Sequence, residues 1–219
     1  MARSMTRPFP RTRTTLTSSA ESPTASKPAS LGERAEADLA FVRGVLDRSQ
    51  HFSAVPGLGG ILMGTSALAA AVIASLQPSR ERWLAVWMID AALALLIGGV
   101  ALVRKARRSG VPLSAWPARR FALGLMPPVF VGGVLTLGAL RLGAWELLTP
   151  VWLGCYGIGV LGAGAVSSVR MVPALGACFV LLGALAVATP ATWSTAWLVL
   201  GFGVAHIVAG VVVWRHHGG

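Results

Sequence analysis

Six apolar runs of about twenty residues, at 57–77, 83–103, 121–142, 147–168, 172–190 and 196–215, leave this chain few ways to fold. A helix rising about 1.5 Å per residue needs roughly 20 residues to cross ~30 Å of hydrocarbon, and each run meets that length. Composition points the same way: 12% of the residues are charged and 54% are hydrophobic, against about 25% charged for a soluble domain. The expected fold class is all-α, a polytopic membrane protein of about six transmembrane helices. Short polar breaks separate the runs. Gln77-Pro78-Ser79-Arg80-Glu81-Arg82 ends the first, and Arg104-Lys105-Ala106-Arg107-Arg108 ends the second. The turns at Val169-Arg170-Met171 and Ala191-Thr192 are so short that the helices they join must be antiparallel.

Four regions follow in chain order. Residues 1–30 hold Arg3, Arg7, Arg11 and Arg13 with no apolar stretch behind them, unlike a secretory signal. Their Pro, Ser and Thr content predicts a disordered basic tail. In 31–56, Ser30 and Glu33 fit a capping box, and Ala35, Leu39, Val42 and Leu46 recur at helical spacing. This predicts an amphipathic helix ending in a Val55-Pro56-Gly57 corner. Acids and bases are mixed on its polar side, so docking on protein suits it better than lipid binding. Residues 57–215 form the membrane domain, and 216–219 a short C-terminal tail.

The 19 Lys and Arg residues set the orientation. With the N-terminus cytoplasmic, sixteen fall on the inner side and three (Arg80, Arg82 and Arg141) on the outer. The positive-inside rule therefore puts both termini in the cytoplasm. Trp83, Trp87, Trp145, Trp152, Trp193 and Trp197 fall near the outer ends, as interfacial anchors would. The net charge of +11 does not call for nucleic acid, because no reading module accompanies it. Arg104, Lys105, Arg107, Arg108, Arg119 and Arg120 instead present a basic loop to anionic lipid at the cytoplasmic face. The same loop could serve topology alone.

Few groups in the spans carry chemistry. Asp90 sits about seven residues into the second span, roughly 10 Å deep. An ionisable group there faces the bundle interior or a wet cavity. It suits a proton or cation site, or a counter-ion for a bound cation, and equally a structural hydrogen bond between two helices. His206, near the middle of the sixth span, would meet Asp90 if spans two and six packed together, and the pair could relay protons. Alone, it suits a hydrogen bond between helices. Gly57, Gly60 and Gly64 offer a smooth face for another helix, and Pro127-Pro128 predict a kink in span three. Arg141 and Glu146 should form an ordinary ion pair at the turn between spans three and four. His216 and His217 lack a third ligand, so no metal and no cofactor are expected. There is no GxSxG, HExxH, Walker glycine loop or CxxC, which argues against an enzyme.

The stretch Arg43–Gly64, with Arg43, Asp47, Arg48, Ser49, Phe52, Ser53, Ala54, Val55, Pro56, Gly57, Gly59, Gly60, Met63 and Gly64, resembles an uncharacterised group of bacterial multi-pass inner-membrane proteins. The resemblance covers about a tenth of the chain and implies location rather than activity. Two functions remain open. One is a non-enzymatic assembly or sensing module, with a protein partner at 31–56 and room for a homo-oligomer. The other is a small transporter or channel using Asp90 and His206.

Overall fold

The computed structural model describes residues 31–50, 55–108 and 116–217. The tail predicted for 1–30 and the corner residue Phe52 lie outside them. The protein is all-α and polytopic: α1 (Leu31–Gln50), α2 (Gly57–Ser75), α3 (Arg80–Arg108), α4 (Trp116–Leu142), α5 (Leu148–Gly164), α6 (Met171–Val187), α7 (Ser194–Leu198) and α8 (His206–His217). Between α7 and α8, Val199–Ala205 winds as a π-helix, so the sixth span is one rod with a wide turn in its middle. Five segments are long and apolar enough to cross a membrane. The sixth, α6, has 17 residues and reaches about 26 Å.

The chain divides at Phe41–Val42, and the membrane bundle belongs wholly to the second unit. On α1, Leu39, Phe41 and Val42 are exposed, as is Arg43. Asp47 and Arg48 continue its backbone, but their side chains lie outside the described residues.

One backbone difference from expectation has a clear cause. Helix α3 runs on through Arg108, so Arg104, Lys105, Arg107 and Arg108 occupy its last turns rather than a loop. Basic side chains there complement the helix dipole. Helix α4 continues through Pro127 and Pro128, which can donate nothing to the carbonyls of Leu123 and Gly124. The Gly124 oxygen is instead turned to α5, where a Cβ on Gly162 would stand 3.1 Å away.

Helices in hydrocarbon gain little from hiding apolar surface from lipid, so close backbone contact holds them. Gly57, Gly60 and Gly64 all face span six. A Cβ at Gly64 would stand 2.6 Å from the Gly203 oxygen, and one at Gly60 would stand 3.2 Å from the Gly210 Cα. A Cβ at Gly57 would collide with the Trp214 backbone. Helix α2 thus lies between span six and α3, while α5 lies between α4 and α6. Helix α3 turns one stripe to α2: Trp87, Asp90 and Lys105 are buried, Gly98 meets Met63, and Ala101 meets Gly59.

At the basic end, the Lys105 ammonium donates to the Val55 carbonyl at 2.8 Å. Lys105 is 8% exposed. Its assignment to a lipid-facing surface is therefore corrected: it pins the Val55-Pro56 corner to α3. Arg104, Arg107, Arg108, Arg119 and Arg120 are exposed. The α2–span six seam makes a graded prediction. Gly64→Ala should destabilise the protein by about 1–3 kcal/mol through overpacking, and Gly60→Ala by clearly less, read by unfolding in mixed micelles. Equal effects would mean that the seam does not hold these helices.

Candidate functional site

The candidate site is a cavity of about 260 Å³ among α2, α3, α4, α5 and span six. Asp90 reaches it from α3 and His206 from span six, with Trp87, Trp152, Tyr156 and Phe202 forming much of its wall. A second cavity, of about 250 Å³, continues toward the basic end and shares Met63, Leu95, Leu125, Tyr156 and His206 with the first.

Asp90 is 7% exposed, and its polar neighbour is Ser66 of α2. The Ser66 hydroxyl already donates to the Met63 carbonyl at 2.8 Å, and it has one proton to give. The carboxylate thus retains acceptor capacity toward the cavity.

His206 does not bond Asp90. Its Nε2 lies 2.7 Å from the Tyr156 hydroxyl, across the α5–span six interface. The expected meeting of spans two and six is replaced by a different geometry: α2 packs between them, and both residues line one cavity. The π-turn just before His206 includes Phe202, whose ring stacks on the imidazole at 6.1 Å and 12°. Phe179 and Tyr156 complete a four-ring cluster, with Tyr156–Phe179 centroids 4.8 Å apart. The other imidazole nitrogen, Nδ1, is buried and makes no hydrogen bond of acceptable geometry, although the Gly201 and Phe202 carbonyls lie beside it.

The tryptophans expected at the interface mostly pack inward. Trp87 is buried, and Trp83, Trp152 and Trp197 pack against the same core cluster. Three of them find threonine partners: Trp83 Nε1 to Thr195 at 3.0 Å, Trp152 to Thr136 at 2.8 Å and Trp197 to Thr189 at 2.8 Å. Threonine suits this duty because its hydroxyl can donate to its own helix and still accept an indole N–H. Thr136 does so, donating to the Gly132 carbonyl at 2.7 Å. Trp87 Nε1 is buried without a partner.

At the tryptophan-rich end, a third cavity of about 440 Å³ is lined by Arg80, Trp83, Glu146 and Thr195 among others. Trp83 stacks on Trp152 at 6.1 Å and 6°, and meets Trp87 edge-on at 6.3 Å. Trp83 lines the end cavity, while Trp87 and Trp152 line the central one. Among the described residues Arg141 and Glu146 form no ion pair; Glu146 lines the end cavity instead.

No group of three His, Cys, Asp or Glu side chains comes together among the described residues. Cys155 lines the central cavity and Cys178 is exposed; both are free thiols. Tyr156 went unweighed in the sequence, yet its signal was there. It is the chain's one tyrosine, it falls in the middle of an apolar run, and its hydroxyl must find a partner. Comparison with protein-family models, curated proteins and solved structures finds no match.

Double-mutant cycles distinguish the two polar groups. Tyr156→Phe and His206→Ala should couple by about 0.5 kcal/mol or more in unfolding, as directly bonded groups do. Asp90→Asn and His206→Ala should be additive. Coupling in the second cycle and none in the first would reverse the assignment.

Proposed function

We propose that the chain is a small membrane transporter whose translocated species occupies the Asp90 cavity. The observation that carries this is the cavity itself: about 260 Å³ inside the bundle, reached by a carboxylate and an imidazole. A module built only for assembly has every reason to fill such a space, since interiors pack densely and intramembrane charges are costly. The position of the three cavities also favours passage. Trp83 lines the end cavity and its stacking partner Trp152 lines the central one, so that stack can act as the gate between them.

The second reading, a partner-binding or sensing role for 31–56, is favoured by one observation: the apolar Leu39, Phe41 and Val42 stand exposed on α1. It is compatible with the first, since a transporter can carry a docking helix. The charge asymmetry supports a bacterial inner-membrane location with both termini cytoplasmic. The corner motif's resemblance supports the same placement. In that orientation the exposed Arg104, Arg107, Arg108, Arg119 and Arg120 belong at the cytoplasmic face, facing anionic lipid.

Two measurements test the proposal. Proteoliposomes holding the protein should dissipate an imposed pH gradient faster than Asp90→Asn proteoliposomes, with the deficit about tenfold or more if the carboxylate carries the proton. Equal rates would end the proton-coupled version of this reading. In a Cys178→Ala background, Trp83→Ala should expose Cys155 to an impermeant thiol reagent added at the tryptophan-rich end. Unchanged labelling would show that the Trp83–Trp152 stack is not the barrier.

A further inference from the structure

We infer that the central cavity binds an organic cation with a hydrophobic body, admitted from the bilayer through the cleft between α3 and α4. This rests on the transporter reading for its biological sense, but the binding site stands on its own geometry.

Charge comes first. Among the described residues, Asp90 is the acid lining the cavity, and no Lys or Arg lines it. The other titratable groups facing the space are Cys155 and Tyr156 from α5 and His206 from span six; α2 and α4 contribute none. His206 Nε2 is already engaged with Tyr156. Asp90 is therefore the group here that offers a negative charge when it ionises, and a cation would balance that charge.

The rest of the wall selects the kind of cation. Trp87, Trp152, Tyr156 and Phe202 present aromatic surface, and ring faces attract cations most strongly where water is excluded. Met63, Met88, Leu95, Leu125 and Val129 supply apolar and, at the methionines, adaptable surface. A hard inorganic ion would need about six or more oxygen ligands, and one carboxylate with two hydroxyls falls far short. A bare proton would need no cavity. A substituted ammonium needs one counter-charge, aromatic faces and apolar room, and finds all three.

Access follows from the rims. Helices α3 and α4 meet near the basic end through Ala106 and Ala118, with Leu102 and Phe121 packed around them. Beyond that junction both helices line the same two cavities. Met88 and Leu95 on α3, and Met126 and Gly133 on α4, border these cavities and are exposed on the outer surface of the bundle. In a bilayer that surface faces hydrocarbon. A hydrophobic cation already partitioned into lipid can thus reach Asp90 sideways.

Binding and protonation compete for the same oxygens. The carboxylic acid must release its proton for the carboxylate to pair with the incoming ammonium, so lowering the pH should weaken binding.

The test uses the full chain in lipid nanodiscs and radiolabelled benzyltrimethylammonium, whose charge does not change with pH. Neopentylbenzene, its neutral carbon isostere, serves as competitor. Expected are saturable binding that weakens as pH falls, weak competition by the isostere, and a loss of about tenfold or more in Asp90→Asn. Asp90→Glu should restore binding, and Phe202→Leu should weaken it severalfold while the elution profile stays that of the folded protein. Binding that ignores Asp90→Asn, or that the neutral isostere displaces equally well, would overturn the proposal and leave the cleft to a lipid tail. Asp90-dependent proton flux with no cation binding would overturn it too, while sparing the transporter. Cation binding without flux would support this site and sink the transport reading alone.

Discussion

The backbone contact between α2 and span six is the constraint on which the rest of the structure depends. Water drives soluble helices together, but lipid is as apolar as a leucine and supplies no such force. What remains is dispersion at short range, and Gly57, Gly60 and Gly64 allow it by leaving room for the backbone of 203–214. Because Gly60 packs beside the His206 carbonyl and the Gly210 Cα, the same seam fixes the depth of His206 in the membrane. Through the other face of α2, Ser66 and Met63 set the position of Asp90 and Gly98 on α3. One helix thus places both polar groups, and it places them apart.

Polar bookkeeping inside the bundle separates packing from function. Three indole donors that hold helices together have threonine partners of low cost. Among the described residues, the buried side-chain atoms left without one are Trp87 Nε1, Thr149 Oγ1 and His206 Nδ1. Two of these three belong to residues that line the central cavity. Polar side chains thus gather at the central cavity, where Asp90 and His206 also lie, rather than in the packed glycine seams.

The sequence made the spans legible because length and hydropathy are local quantities. It also made Asp90 and His206 legible, since an ionisable group in a long apolar run stands out by itself. Their relation was not legible. Which helix lies between spans two and six depends on glycine seams that read alike from sequence: Gly57-x-x-Gly60 and the run from Gly154 to Gly164 gave no sign of their partners. The packing partners of the tryptophans were hidden for a related reason. Trp83 and Trp87 fall at a depth that suits an interface, and only the neighbouring Thr195 and Trp152 turn them inward. The π-turn at Val199–Ala205 was beyond reach of any periodicity, because a single wide turn leaves the apolar run unbroken.

Separation of the two polar groups is what gives the cavity its character. Had Asp90 and His206 bonded each other, each would have satisfied the other, and the space between α3 and α4 would have had no charge to offer. Instead Tyr156 takes the imidazole and Ser66 only partly serves the carboxylate. The π-turn borders this arrangement: Phe202 within it lines the cavity, and His206, four residues on, reaches Tyr156. An acid that keeps unused acceptor capacity, walled by aromatic rings and open sideways to hydrocarbon, favours a partner that brings both positive charge and apolar surface. Phe202 and Tyr156 line the same cavity as Asp90, so their rings help set the size of that partner.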